Sequence, residues 1–157
     1  MRETVQELVE RYGNNLYAAA FSVCRNPEDA KDVVQDTFLQ YYMTDKEFEN
    51  EKHIRAWLIR VAVNKAKNSN KSFWKRNKVS LEDYRETFSF ETKESENLFD
   101  AVMKLPEKYR IVIHLFYFED YTTGEIADVT KISISNVKVR LSRARELLRG
   151  LLKEDLI

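Results

Sequence analysis

The residues of this chain best equipped for chemistry are neither nucleophiles nor metal ligands. They are donors and cations crowded into one segment near the carboxyl end, SNVKVRLSRARELLR. Val137, Leu141, Ala144, Leu148 and Leu151 recur there at alternating steps of four and three, which predicts a helix with one buried stripe. Ser135, Val139, Ser142, Arg143 and Glu146 then point away from the stripe, and Lys138, Arg140, Arg145 and Arg149 fall on its shoulders. Small polar residues on an exposed helix face suit hydrogen bonding to base edges in a DNA groove, and flanking cations suit phosphates. The 27 residues from Lys131 to Ile157 hold seven Lys or Arg against three acids, a bias that a merely solvated face has no reason to show. His53 and His114 are isolated histidines, Cys24 is the only cysteine, and no Gly-rich phosphate loop or metal-ligand spacing occurs. The chain is therefore read as a non-enzyme without cofactor or metal, and His114, among apolar neighbours, as a packed side chain.

The cationic helix needs a partner that sets its entry angle. Thr122 and Glu125 form a T-x-x-E capping box for a short helix ending near Val129. The chain turns through Thr130 to Ile132, and Ser133 or Ser135 caps the cationic helix. Helix, turn and helix make a DNA-docking motif. Ahead of it, Leu98, Val102 and Leu105 space a helix from Ser95, and Pro106 opens another in which Tyr109, Val112, Ile113, Phe116 and Tyr117 face inward.

The amino-terminal half has a second set of cations. Thr4 to about Arg25 reads as a helix with Val5, Leu8, Val9, Tyr12, Leu16, Ala19, Ala20 and Val23 inside. Asn26 and Pro27 start the next, which runs to about Met43 with Ala30, Val33, Val34, Thr37, Phe38 and Tyr41 inside. Asp45 to Lys52 reads as a polar loop around Phe48, and a third helix runs from about Glu51 to Ser69 or beyond, burying Ile54, Trp57, Leu58, Val61 and Ala62. On it Arg60, Asn64, Lys67 and Lys71 form a cationic stripe, followed by Phe73 and Trp74. Cations interleaved with amides and aromatics suit opened nucleic acid, where phosphates meet Lys and Arg and unstacked bases meet rings.

Net charge is zero across 157 residues, yet it is strongly segregated. Residues 1–51 carry −6, residues 52–78 carry +9 without one acid, and residues 79–100 carry −5. Two basic segments around an acidic one point to two nucleic-acid contacts, with the acidic pieces free to face something else. Three Gly, two Pro and helical spacing predict an all-α protein. It divides into two small helical domains, residues 1–78 and 95–157, joined by a flexible linker at 79–94. No apolar run reaches the roughly 20 residues of a membrane span, and the charged start MRETVQELVER has no signal-peptide core, so a cytoplasmic location is expected.

Four blocks in order carry a resemblance. LYAAAFSVCRNPEDAKDVVQDTFLQYY, IRAWLIRVAVNKAKN, LPEKYRIVIHLFYFEDYTTGEIA and SNVKVRLSRARELLR resemble the two-domain sigma factors of bacterial RNA polymerase, the extracytoplasmic-function (ECF) group. The resemblance implies an alternative sigma factor that binds core RNA polymerase and promoter DNA and is held by an anti-sigma factor, soluble or membrane-anchored, in a stress or envelope response. It implies a chain that inserts in no membrane and is monomeric without its partners. Position by position it places Asp32, Gln35, Asp36 and Phe38 on the polymerase clamp. Phe48, Arg60, Asn64, Lys67 and Lys71 fall on the −10 element, with the Asp45 to Lys52 loop capturing a flipped base. Ser135, Asn136, Lys138, Val139, Arg140, Ser142, Arg143 and Arg145 fall on the −35 element. Lys131 stands where the family's turn usually has Gly, and Ser133 and Ser135 stand where its recognition helix often opens with Pro and Gly. The competing reading is a stand-alone helix-turn-helix regulator, which would have little use for the cationic third helix.

Overall fold

The computed structural model describes residues 2–73 and 92–155, without the side chains of 70–73 and 154–155. They are all helix and connection, and they gather into two compact units that meet in sequence between Lys78 and Val79. Trp74, Lys75, Arg76 and Lys78 lie outside the described residues, as do the side chains of Lys71 and Phe73.

In the first unit α1 spans Val5–Cys24. Thr4 and Glu7 close a capping box at its start, with the Glu7 amide donating to Thr4 Oγ1 at 3.1 Å and the Thr4 amide to Glu7 Oε2 at 3.3 Å. Arg25 ends it in the left-handed region at φ 51°, its amide donating to the Phe21 carbonyl. Pro27 opens α2, Pro27–Met43, behind the Asn26 side chain, which accepts from the Asp29 amide at 3.0 Å. After a loop, the Asn50 side chain accepts from the His53 amide at 2.9 Å and caps α3, Glu51–Phe73. All three helices pack on one another through Leu8, Leu16, Ala20, Val33, Leu58 and Ala62. Thr37 sits inside that core because its hydroxyl donates back to the Val33 carbonyl at 2.7 Å, leaving no unpaired polar group. Val9, expected inside, is 44% exposed. The buried face of α1 centres on Leu8, Tyr12 and Leu16, and Val9 lies at its edge, on the rim of an apolar groove of about 450 Å³ between α1 and α2.

The second unit opens with α4, Lys93–Met103, capped by Thr92, two residues ahead of the Ser95 start read from spacing. Pro106 leads into α5, Glu107–Ile113, which continues as a π-helical turn over His114–Phe118. The Glu119 amide reaches back five residues to the His114 carbonyl at 3.2 Å, so one extra residue is accommodated and the inward face slips. Leu115 is buried, whereas Tyr117, expected inside, is 49% exposed and Phe116 is only half-buried. α6 spans Thr123–Thr130 and α7 spans Ile134–Asp155. The core combines Val102, Leu105, Val112, Ile126, Val137 and Leu141. His114 is buried as expected, stacked on Phe118 with ring centres 5.5 Å apart and facing the buried Glu119 carboxylate at 3.5 Å.

Candidate nucleic-acid and polymerase interfaces

The helix-turn-helix is built as its sequence dictates. Glu125 donates its amide to Thr122 Oγ1 at 3.1 Å and takes the Thr122 amide on its carboxylate at 2.9 Å, completing the capping box of α6. Lys131 then adopts the left-handed conformation at φ 62°, with its amide on the Ala127 carbonyl at 2.8 Å. This is the cap for which Gly is usual, and Lys131 takes it as a side-chain-bearing residue. Of the two candidate serines, Ser133 caps α7, its Oγ accepting from the Asn136 amide at 3.1 Å. Val137, Leu141, Ala144 and Leu148 are buried, with Leu151 half-buried at the end of the stripe. Ser135, Asn136, Lys138, Val139, Ser142 and Arg143 are all exposed, so the face expected to read DNA is open, while Arg140 and Arg145 are half-buried at the shoulders. Arg145 is already engaged: its Nε donates to the Tyr117 hydroxyl at 2.6 Å.

On α3, Arg60 is exposed and Asn64 and Lys67 are half-buried beside the core face formed by Leu58, Ile59, Ala62, Val63 and Ala66. The spacing that buries those residues brings Arg60, Asn64 and Lys67 to one side of the helix.

Before α3 the polar loop forms one wall of a cleft of about 650 Å³, lined by Arg2, Glu3, Asp45, Lys46, Phe48 and Glu51 among others. Phe48 does not project from it. Its ring stacks on Tyr41 with centres 5.8 Å apart and meets His53 and Trp57 edge-on at 5.1 and 5.5 Å, so it is half-buried. Aromatic packing holds this residue because a lone large ring in a polar loop gains by burial against neighbouring rings. Phe48 therefore anchors the loop and forms part of the cleft wall. Glu51, at the first position of α3, accepts from the Tyr12 hydroxyl at 2.8 Å and from Arg11 at 2.9 Å, and these two partners hold its carboxyl below the usual range. Burial, with Glu51 adding to it, pushes the Tyr12 phenol up.

α2 presents Asp32, Gln35 and Asp36 to solvent. Asp29, at the same end of that helix, has its carboxyl raised, first by burial and then by Asp32 and Glu28. The carboxylates on this turn thus repel one another, an arrangement that a cationic partner relieves. Phe38 is a correction: at 5% exposure it forms the floor of the groove between α1 and α2 and offers little surface of its own. Its position on the inner face of α2, beside Val34, decides this. Exposed apolar residues rim the groove instead, Leu39 at 55% and Tyr42 at 74%.

Two residues of these sites escape a reading by pattern. Arg2, a lone cation in an acidic amino terminus, donates to the Tyr41 and Thr44 carbonyls at the end of α2. Tyr117 lies within the π turn and meets Arg145 of α7.

Comparison with known proteins agrees with this architecture. Residues 8–78 match the family described as Sigma-70 region 2, and residues 95–148 match Sigma-70, region 4. The chain is 34% identical over 149 residues to the RNA polymerase sigma factor SigV of Bacillus subtilis, covering 90% of this chain and 87% of SigV. It is 30% identical over 160 residues to the ECF RNA polymerase sigma-E factor of Haemophilus influenzae, covering 91% and 84%. Among solved structures it resembles CnrH in complex with the cytosolic domain of CnrY, with a TM-score of 0.69, 30% identity and coverage of 96% and 88%. RpoE in complex with the anti-sigma factor NepR from Bartonella quintana has the same fold, with a TM-score of 0.74, 22% identity and coverage of 94% and 96%. No helix among the described residues is long and apolar enough to cross a membrane. With both regions present in order and relatives alike over most of their length, the chain belongs to the ECF group of sigma-70 RNA polymerase sigma factors.

Proposed function

We propose that this alternative sigma factor divides promoter recognition between its two compact units, the first taking the opened −10 element and core polymerase and the second taking the −35 duplex. One observation supports the reading: each unit exposes a cation-bearing helix face, Arg60, Asn64 and Lys67 on α3 within the residues matching Sigma-70 region 2, and Ser135 to Arg143 on α7 within those matching region 4. Phosphate affinity in both units suits a subunit that must hold duplex and strand at once. The cleft bounded by the loop before α3 has the volume of a small-ligand site, and a nucleobase extruded from the opened strand is its occupant. Asp32, Gln35 and Asp36 face the polymerase clamp, with the apolar rim of Leu39 and Tyr42 beside them. Bond formation stays with the polymerase. The chain acts in the cytoplasm, where that enzyme works.

RpoE and CnrH are seen bound to NepR and to the cytosolic domain of CnrY. By that likeness an anti-sigma protein holds this chain as well, soluble or membrane-anchored, in a stress or envelope response.

The test pairs two variants in reconstituted holoenzyme. Asp32→Arg with Asp36→Arg should lose core polymerase in a pull-down while remaining folded, because exposed positions shift stability by no more than about 0.5 kcal/mol. Arg60→Ala, Asn64→Ala and Lys67→Ala together should bind core polymerase and form a closed promoter complex, yet leave promoter thymines unreactive to permanganate. Normal opening by the triple variant removes the −10 assignment.

A further inference from the structure

Arg145 was assigned to phosphate, yet its Nε donates to the Tyr117 hydroxyl at 2.6 Å, and its guanidinium carbon lies 5.5 Å from the Phe116 ring centre and 5.6 Å from that of Tyr117. The bond is short and charge-assisted, and the two rings, 4.9 Å apart and edge to face, form a corner that receives the cation. Had α5 continued as an α-helix, Tyr117 would have faced the core. The π turn at His114–Phe118 turns it out to 49% exposure and onto α7.

On α7, at 100° per residue, Arg145 falls on the same side as Lys138, Ser142 and Arg149. That side forms an edge about 16 Å long beside the exposed reading face. An arginine has five donors in a rigid fork, so bonding through Nε leaves the paired Nη groups for a second acceptor. Among the described residues no hydrogen bond to those Nη groups is formed. An unrestrained arginine would have to freeze its rotamers on meeting DNA, whereas one held by Nε has already done so.

We propose that Tyr117 is a positioning residue for DNA-backbone binding, holding Arg145 by its Nε so that the two Nη groups are presented to a phosphate flanking the −35 element. This rests on the reading of α7 as the −35 helix. Tyr117 itself makes no sequence choice. Its loss weakens binding to every −35 sequence alike and leaves the number of phosphates contacted unchanged, whereas loss of Arg145 removes one phosphate contact.

The test uses holoenzyme reconstituted from core polymerase and the full chain, on −35 duplexes that the wild-type holoenzyme has selected from a randomised library. Affinity is measured against salt concentration for wild type, Tyr117→Phe, Arg145→Ala and the double variant. Tyr117→Phe keeps the ring over the guanidinium and removes only the hydroxyl, and thermal unfolding verifies that it is folded. It should bind about threefold to tenfold more weakly, the span of one hydrogen bond's net contribution, with the salt slope and selected motif unchanged. Arg145→Ala should lower the slope by about one, and adding Tyr117→Phe to it should change nothing further. Wild-type affinity for Tyr117→Phe, an altered motif, or a further loss in the double variant each overturns the proposal. If the wild-type holoenzyme selects no −35 motif at all, the parent reading of α7 falls first.

Discussion

The Arg2 guanidinium lies over the Tyr41 ring, 4.4 Å from its centre, while its two terminal nitrogens donate to the Tyr41 and Thr44 carbonyls at 2.6 and 2.7 Å. The Tyr41 hydroxyl in turn donates to the Glu3 carbonyl at 2.6 Å, so the amino terminus and the end of α2 fasten each other. A cation on the last carbonyls of a helix is also favoured by the helix dipole. Because Arg2 and Glu3 line the cleft beside the loop, this fastening shapes the site assigned to the flipped base. Arg2→Ala should cost about 1 kcal/mol of stability, given that the bonds are partly exposed. It should slow promoter opening with little effect on core binding. Thermal unfolding and a permanganate time course check the two halves of this expectation.

Glu51 ties α3 to α1 through Tyr12 and Arg11, and its carboxyl is held below its ordinary value. A carboxylate with a lowered folded-state pKa stabilises the fold when ionised. That contribution is complete above about pH 5 and is lost as the pH falls through the lowered folded value. Glu51→Gln should therefore lower the unfolding temperature at neutral pH and match wild type at strongly acid pH. Parallel melting curves over a pH series measure it, and a constant gap between the two proteins at all pH values would mean that the charge of Glu51 plays no part.

Lys131 occupies the left-handed region between α6 and α7, where a side chain costs about 1–2 kcal/mol relative to the right-handed alternative. Lys131→Gly removes that strain and adds back about 0.5–1 kcal/mol of unfolded-state entropy. The expected net is a gain of about 0.5 kcal/mol, read from urea unfolding, with no change in the −35 motif selected.

Within α7, Arg143 is on the exposed face and Lys138 is nearer the shoulder. Arg143→Ala should cost about 1–3 kcal/mol on the preferred promoter and relax choice at one or two base pairs. Lys138→Ala should weaken all sequences alike and lower the salt slope by about one. Selection from a randomised −35 library, repeated for each variant, separates them. A motif shifted by Lys138→Ala and untouched by Arg143→Ala would reverse the two faces.

The helices, most of their starts and the exposed face of α7 are consequences of sequence alone, α4 beginning two residues ahead of its expected start. A cap such as Thr122 with Glu125, or Asn26 with Pro27, is settled within four residues, and so is the choice between the buried Val137 stripe and the open Ser135 to Arg143 face. Short-range pattern could not reach the rest. Phe48 reads in sequence as the one ring of a polar loop, and its packing against Tyr41, His53 and Trp57 is set by residues outside that loop. Phe38 could be assigned both to the core and to a partner until its burial favoured the core. Arg2 acquires its role from carbonyls 39 and 42 residues away. Tyr117 depended on a single extra residue absorbed by the π turn, which rotates every later side chain on that helix and which no hydrophobic period announces. Local hydrogen bonding and periodicity are properties of a segment. Which ring covers a loop, and which tyrosine meets an arginine, depend on the packing of segments far apart in the chain, and only the tertiary structure decided them.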